Sequence, residues 1–238
     1  MVVLNDARRR AGRLAAVAAA ALLLSTALPT TPAHAVTACT VNGVPASGPL
    51  VSGTGGDDVI ICGDVDAGTI VDARGGDDTI VLNGTVNSRV GAGLGRDRVA
   101  LAPGSVVGPA AFVDTQLGSD LVEIRGVVRG RIGGGQGNDV LNVHATARVE
   151  QTANIFGAGG DDVIRVEPAP LPYAGRLDGT DGDDLIDLRG TLGPTGRALG
   201  GTGNDFVHVH VNFGGTDGGP GFDVCRVDMG NRPANCEL

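Results

Sequence analysis

The 238-residue chain has no tryptophan, one tyrosine (Tyr173) and five phenylalanines. It has no lysine either, so all 18 basic residues are arginines. Each shortage removes a class of function. A phosphate loop of the G-x-x-x-x-G-K-[ST] type needs a lysine and is excluded. A polysaccharide lyase or epimerase lines a groove with basic and aromatic side chains, and one tyrosine, five phenylalanines and no lysine count against such a groove. Histidine is as scarce: past the N-terminal segment only His144, His208 and His210 remain, and neither H-E-x-x-H nor G-x-S-x-G occurs. The net charge of −9 runs against a nucleic-acid partner and favours metal cations. The expectation is a protein that is not an enzyme.

The only long apolar run is N-terminal. Arg8, Arg9, Arg10 and Arg13 precede an apolar stretch from Leu14 to Leu28, and Ala33-His34-Ala35 follows as an A-x-A cleavage site. Basic, apolar and small-residue regions in that order make residues 1–35 a secretory signal peptide. The apolar stretch is short of the roughly 20 residues of a membrane span, and Pro29 and Pro32 close it. Once the leader is removed no membrane span remains, and the secreted chain is more acidic still, since the leader holds four arginines and one aspartate.

Glycine is abundant, at 41 residues. Without a three-residue period it does not make collagen, and the 42 % of hydrophobic residues fall at fixed places, which argues against disorder. The organising unit is a glycine-rich turn ending in G-x-D. Its aspartate recurs nine times, at 58, 78, 97, 120, 139, 162, 184, 205 and 223. A period near twenty is the mark of a solenoid, each repeat one coil.

Aligning the repeats on that aspartate locates the interior. Two places on stand Ile60, Ile80, Val99, Val122, Leu141, Ile164, Ile186, Val207 and Cys225, and four places on another apolar column from Cys62 to Val227. The position between them is polar from the fourth coil onward. This period-two alternation predicts a strand buried on one face. Seven places before the aspartate a mainly apolar column runs from Val51 to Thr216 and predicts a facing wall. Returns such as Glu167-Pro168-Ala169-Pro170 break the pattern and vary in length. The predicted fold is all-β: a parallel β-solenoid of about nine coils of roughly 20 residues. At about 4.8 Å per coil it forms a rod of roughly 43 Å. Residues 36–52 form an N-terminal cap, 53–227 the repeats and 228–238 a C-terminal cap that shields the sheet edge.

An exported chain permits disulfides. Cys39 and Cys62 lie at one end and Cys225 and Cys236 at the other. Only the pairing within each end avoids tying the two ends of an elongated array together, so Cys39–Cys62 and Cys225–Cys236 are expected.

Glycine turns expose backbone carbonyls, and the aspartate adds a carboxylate. Oxygen-only donors suit a hard cation of flexible coordination, Ca²⁺ rather than Zn²⁺. One coil cannot furnish the oxygens that Ca²⁺ takes, so the ions are expected between coils. Bare carboxylates spaced about 4.8 Å apart repel by about 1 kcal/mol per pair in water and more at lower dielectric. Metal binding and folding should therefore be linked.

The motif resembles the RTX (repeat-in-toxin, haemolysin-type) calcium-binding repeat G-G-x-G-x-D-x-U-x, a parallel β-roll. Gly134 to Leu141 and Gly200 to Val207 match in full, and Gly218 to Asp223 matches with Phe222 in place of Asn or Asp. The resemblance implies ligands at Gly56, Asp57 and Asp58; Gly76, Asp77 and Asp78; Gly137, Asn138 and Asp139. It implies the same at Gly160, Asp161 and Asp162; Gly182, Asp183 and Asp184; Gly203, Asn204 and Asp205. Family members usually carry two motifs per coil and two ion columns, whereas one motif per coil here implies one column. Arg96 and Phe222 mark turns without metal. Asp72, Asp114, Asp178 and Asp217, six places before their turn aspartates, are either further ligands or turn starters. The function expected is a secreted calcium-binding scaffold or binding module, with cell-wall or extracellular polysaccharide as a candidate partner. The alternatives are a metal-independent adhesive solenoid at the cell surface and a polysaccharide-modifying enzyme. A third reading of the aspartates is that they only cap tight turns by local hydrogen bonds.

Overall fold

The computed structural model describes residues 38–237, and the expected signal peptide lies outside them. The described chain is a β-solenoid of nine coils with no α-helix. Each coil runs from an upstream strand through the G-x-D turn into a downstream strand and then returns.

The downstream strands form one wall, from Val59–Cys62 in the first coil to Val224–Gly230 in the ninth. They pair parallel and in register, so that Ile60, Ile80 and Val99 sit side by side, as do Ile164, Ile186 and Val207. The upstream strands form a second parallel wall of nine, from Leu50–Ser52 to Gly215–Asp217. Val71, Val90 and Val113 are stacked neighbours there. Both walls turn every second side chain inward, and these inward columns are the buried core.

Two features differ from the sequence expectation. The irregular returns of the second to fifth coils build a third parallel wall from Thr85–Val86, Val106–Val107, Val127–Val128 and Arg148–Val149. One valine per strand, Val86, Val107, Val128 or Val149, closes the core. The Pro168–Pro172 return ends this wall, because proline lacks the N–H that a ladder needs. From the seventh coil the downstream strands lengthen instead, to Leu185–Leu192, Phe206–Asn212 and Val224–Gly230.

Both ends are covered. Cys39–Val41 and Val44–Ala46 form an antiparallel hairpin on the first downstream strand, joined by the Cys39–Cys62 disulfide. At the other end the tail lies on the ninth coil, where Ala234 bridges Asp217 and Cys236 is bonded to Cys225. The expected pairing of the cysteines is the observed one, and no described cysteine is free.

Candidate metal centre

The nine G-x-D aspartates form a single column, and every one is at most 3 % exposed. They point into the solenoid. Counting back from the apolar columns two and four places on, the aspartate occupies the same inward phase of the strand. The glycine two places earlier turns the chain. Gly137, for example, has φ +121°, and a Cβ on it would stand 1.7 Å from the carbonyl oxygen of Gly118 in the coil before. The same close approach recurs at Gly160, Gly182 and Gly203, and Gly76 meets the backbone of Gly56 in the same way, whereas Gly56 itself faces open space.

Each inner aspartate makes a backbone-like bond along the axis. Its Oδ1 accepts the main-chain N–H of the aspartate one coil before. The series runs from Asp58 N–H to Asp78 Oδ1 at 2.7 Å through to Asp205 N–H to Asp223 Oδ1 at 2.9 Å. The turn carries the chain away from its neighbour, and the carboxylate replaces the carbonyl that a straight strand would offer. The bond is neither local nor a cap. Both ends of the ladder are closed by other side chains. Asn42 Nδ2 donates to Asp58 Oδ1 at 2.6 Å, and Glu237 Oε2 accepts the N–H of Asp223.

The residues one place before form a second ladder, exposed and running the other way. Asp57 Oδ1 accepts from Asp77 N–H, and Asp77 Oδ1 from Arg96 N–H. Further on, Asn138, Asp161, Asp183 and Asn204 accept in turn from the N–H groups of Asp161, Asp183, Asn204 and Phe222. Arg96 and Phe222 receive this ladder but cannot pass it on. The four aspartates six places upstream take separate roles. Asp114 pairs with Arg89 and Asp178 with Arg176, Asp72 accepts the N–H of Arg74, and Asp217 accepts from Asn235.

The inner ladder leaves a debt at its second oxygen. Oδ2 of Asp78, Asp97, Asp120, Asp139, Asp162, Asp184, Asp205 and Asp223 is buried without a hydrogen-bond partner. Burial pushes the carboxyls of Asp78, Asp97, Asp120, Asp139, Asp162, Asp184 and Asp205 up, against the lowering effect of the N–H each accepts. Asp78, Asp97 and Asp205 rise to about 6, Asp139 and Asp184 to about 7, and Asp162 to about 8. Repulsion between rungs adds to the rise. Asp58 differs: its Oδ2 accepts from the backbone and hydroxyl of Thr54, and its pKa is lowered, first by the backbone N–H of Thr54.

In the fifth to ninth coils the space around the orphan oxygen is shaped by a glycine five places earlier. A Cβ on Gly179 would lie 2.2 Å from both Asp184 Oδ2 and the Gly200 carbonyl oxygen of the next coil. Gly134 relates in the same way to Asp139 Oδ2 and Gly157 O, Gly200 to Asp205 Oδ2 and Gly218 O, and Gly218 to Asp223 Oδ2 and Asn235 O. Gly157 lies equally close to Asp162 Oδ2. Carboxylate and carbonyl oxygens thus crowd against the bare Cα of these glycines, and no donor answers the carboxylate Oδ2. In the second to fourth coils this glycine is replaced by Ala73, Ala92 and Thr115.

No family model, curated protein or solved structure matches the chain. The chemistry of the column therefore rests on its own atoms. Its donors are all oxygens, charged or carbonyl, which suits a hard divalent cation. Among the described residues no group of three or more His, Cys, Asp or Glu side chains is placed to hold a metal ion. Any cation here must draw most of its ligands from backbone carbonyls, one carboxylate per coil. The donor set suits calcium best at the fifth to ninth coils, where the orphan oxygen lies against a glycine. It fits poorly at Asp58, whose Oδ2 is already satisfied.

Proposed function

We propose that the protein is a secreted calcium-binding repeat protein, similar to the RTX repeats, whose ions sit along the inner aspartate column and stiffen an extracellular scaffold. One observation carries the reading. An asparagine at each rung would accept the same N–H and offer its NH₂ to the facing carbonyl, satisfying every atom. The inner column nevertheless has aspartate at all nine positions, while the exposed column beside it uses Asn138 and Asn204. A buried rung that keeps its negative charge needs a positive partner.

In this reading Asp139, Asp162, Asp184, Asp205 and Asp223 supply carboxylate oxygens, and the glycines that face them supply carbonyls. Calcium supplies the charge that offsets repulsion along the column, and it binds the folded chain alone, so folding follows its concentration. The two disulfides support an oxidising, extracellular setting. No described helix is long and apolar enough to cross a membrane.

The test is thermal unfolding and isothermal calorimetry of the disulfide-bonded chain in chelator and in millimolar Ca²⁺. We expect a melting temperature that rises with Ca²⁺ and several ions bound in the ~10⁻⁴–10⁻³ M range of extracellular modules. Identical melts and no binding heat would leave the aspartates as purely structural rungs and the molecule as a metal-independent solenoid.

A further inference from the structure

The outward face of the upstream wall carries an organised surface that the aspartate column does not use. Its centre is Arg131. The guanidinium lies 4.7 Å from the ring centroid of Phe112 and 5.0 Å from that of Phe156. The two rings are stacked with centroids 6.0 Å apart. Gly133 lies beneath them: a Cβ there would come within 2.8 Å of the Phe156 ring and 3.5 Å of Phe112. The missing side chain lets both rings lie over the sheet. Among the described residues the Arg131 guanidinium donates no hydrogen bond and forms no ion pair. It is fixed in orientation by two rings with its N–H edges open.

A shallow recess flanks this centre on each side along the solenoid axis. One, of about 260 Å³, is lined by Asp72, Arg89 and Gln116. The other, of about 360 Å³, is lined by Arg176, Asp178, Thr202 and Asp217. Arg89 with Asp114 and Arg176 with Asp178 are exposed ion pairs. Their planar groups present donors and acceptors together. From the strand Ile70–Asp72 to the strand Arg197–Thr202 the platform crosses six strand spacings, roughly 29 Å at about 4.8 Å each.

We propose that this face binds an extended, uncharged polysaccharide lying along the solenoid axis. Sugar rings have apolar faces that pack on aromatic rings, and hydroxyls that both donate and accept, as Arg–Asp pairs require. Charge selects the neutral polymer. The face is close to balanced, with Arg89, Arg131, Arg176 and Arg197 against Asp72, Asp114, Asp178, Asp181 and Asp217, while the chain as a whole is at −9. Such a molecule repels a polyanion at long range and is indifferent to a neutral chain. The inference is independent of calcium, because these side chains lie on the opposite side of the upstream wall from the aspartate column.

The test is affinity electrophoresis of the disulfide-bonded chain through gels holding xyloglucan, xylan, galactomannan or hydroxyethylcellulose, with sedimentation on cellulose and chitin. Alginate and pectate serve as polyanions, and each run is made with Ca²⁺ and with chelator, folding being checked by circular dichroism. We expect at least one neutral polysaccharide to retard the protein. Binding should weaken at least tenfold in Phe112→Ala/Phe156→Ala and in the bulk-conserving Phe112→Leu/Phe156→Leu, and several-fold in Arg131→Ala. Arg165→Ala, on the other wall, should bind as the parent does. Retardation by no neutral polymer, by the polyanions alone, or equally in the Phe variants would overturn the proposal. Calcium-dependent melting read in parallel separates this outcome from failure of the metal reading.

Discussion

Asp184 accepts the backbone N–H of Asp162 at 2.8 Å through Oδ1, while its Oδ2 lies buried and unpaired beside the Gly200 carbonyl. The two oxygens of one carboxylate thus do opposite things for stability. The first replaces a missing strand hydrogen bond, and the second carries charge into a site without a donor. Asp184→Asn keeps the acceptor and places a donor at the second position. In chelator it should stabilise the fold by about 1 kcal/mol, the net value of a buried hydrogen bond, and in Ca²⁺ it should lose one ion by calorimetry. Asp184→Ala removes the acceptor, strands the Asp162 N–H and should cost about 2–3 kcal/mol in either condition. Urea unfolding of both variants checks this. Equal destabilisation by Asn and Ala in chelator would remove the case for charge.

The aspartate column sets the pH dependence of the calcium-free protein. The carboxyls of Asp78, Asp97, Asp139, Asp162, Asp184 and Asp205 are raised from 3.8 to values between about 6 and about 8. A raised folded pKa means that the native state holds protons the unfolded chain has lost. The stability this gives is complete below pH 3.8 and disappears as pH rises through the folded values. Glu123 acts in the opposite sense. Burial pushes its carboxyl up, but hydrogen bonds from Asn142, His144 and Arg125 outweigh it and hold it down to about 2. Its contribution is complete above 4.5 and is lost as pH falls through about 2. In chelator the urea midpoint should therefore peak near pH 4–5 and decline toward pH 8. Calcium, which binds the ionised form, should flatten that decline. A midpoint in chelator that climbs from pH 5 to 8 would contradict the assignment.

How much of this was legible in the sequence depends on how many residues each element spends per coil. The inward columns at Ile60, Cys62 and Val51 recur in step with the aspartate, so two walls could be read from alternation alone. The third wall spends two residues per coil, such as Val106 and Val107, and two residues show no period. The inward direction of the aspartates is also in the pattern. Asp58 lies two places before Ile60 and four before Cys62, hence on the same inward face, yet a carboxylate after a glycine turn reads first as a surface ligand. Burial of a charged rung is a tertiary fact, made possible by the N–H of the neighbouring coil. The Phe112–Arg131–Phe156 group was hidden because its members sit in two different columns and meet only across strands.

Glycines of the same motif should differ sharply in tolerance. Gly137 has positive φ and no space for a Cβ, which would enter the carbonyl of Gly118. Gly137→Ala should cost more than 3 kcal/mol, from strain and a backbone clash together. At Gly55 an added methyl would meet nothing within 4 Å, and its φ is not positive. Gly55→Ala should stay within about 0.5 kcal/mol of the parent. The comparison needs only urea midpoints of two single variants. A mild effect at Gly137 would mean that the coils can slide apart, against the tight axial stacking of the turns.

The last rung of the ladder is borrowed from the tail. Glu237 N–H donates to the Asp223 carbonyl at 2.8 Å, as Val224 N–H does to Asp205 one coil earlier, and the Glu237 carboxylate accepts the N–H of Asp223. By its backbone Glu237 thus takes the place of the residue after a tenth aspartate, while its carboxylate does that aspartate's work, and the Cys225–Cys236 disulfide fixes the residue beside it. A solenoid is held together by nearest-neighbour contacts, so damage at its end should remain there. Glu237→Ala, and more strongly Cys225→Ser with Cys236→Ser, should release the tail and open the ninth coil. Amide exchange should then speed up at least tenfold over Val224 to Val227, leaving the strands Leu121–Ile124 and Val140–Val143 at their original rates. Acceleration spread evenly along all nine coils would show instead that the array unfolds as one cooperative unit and that the tail is not a local stop.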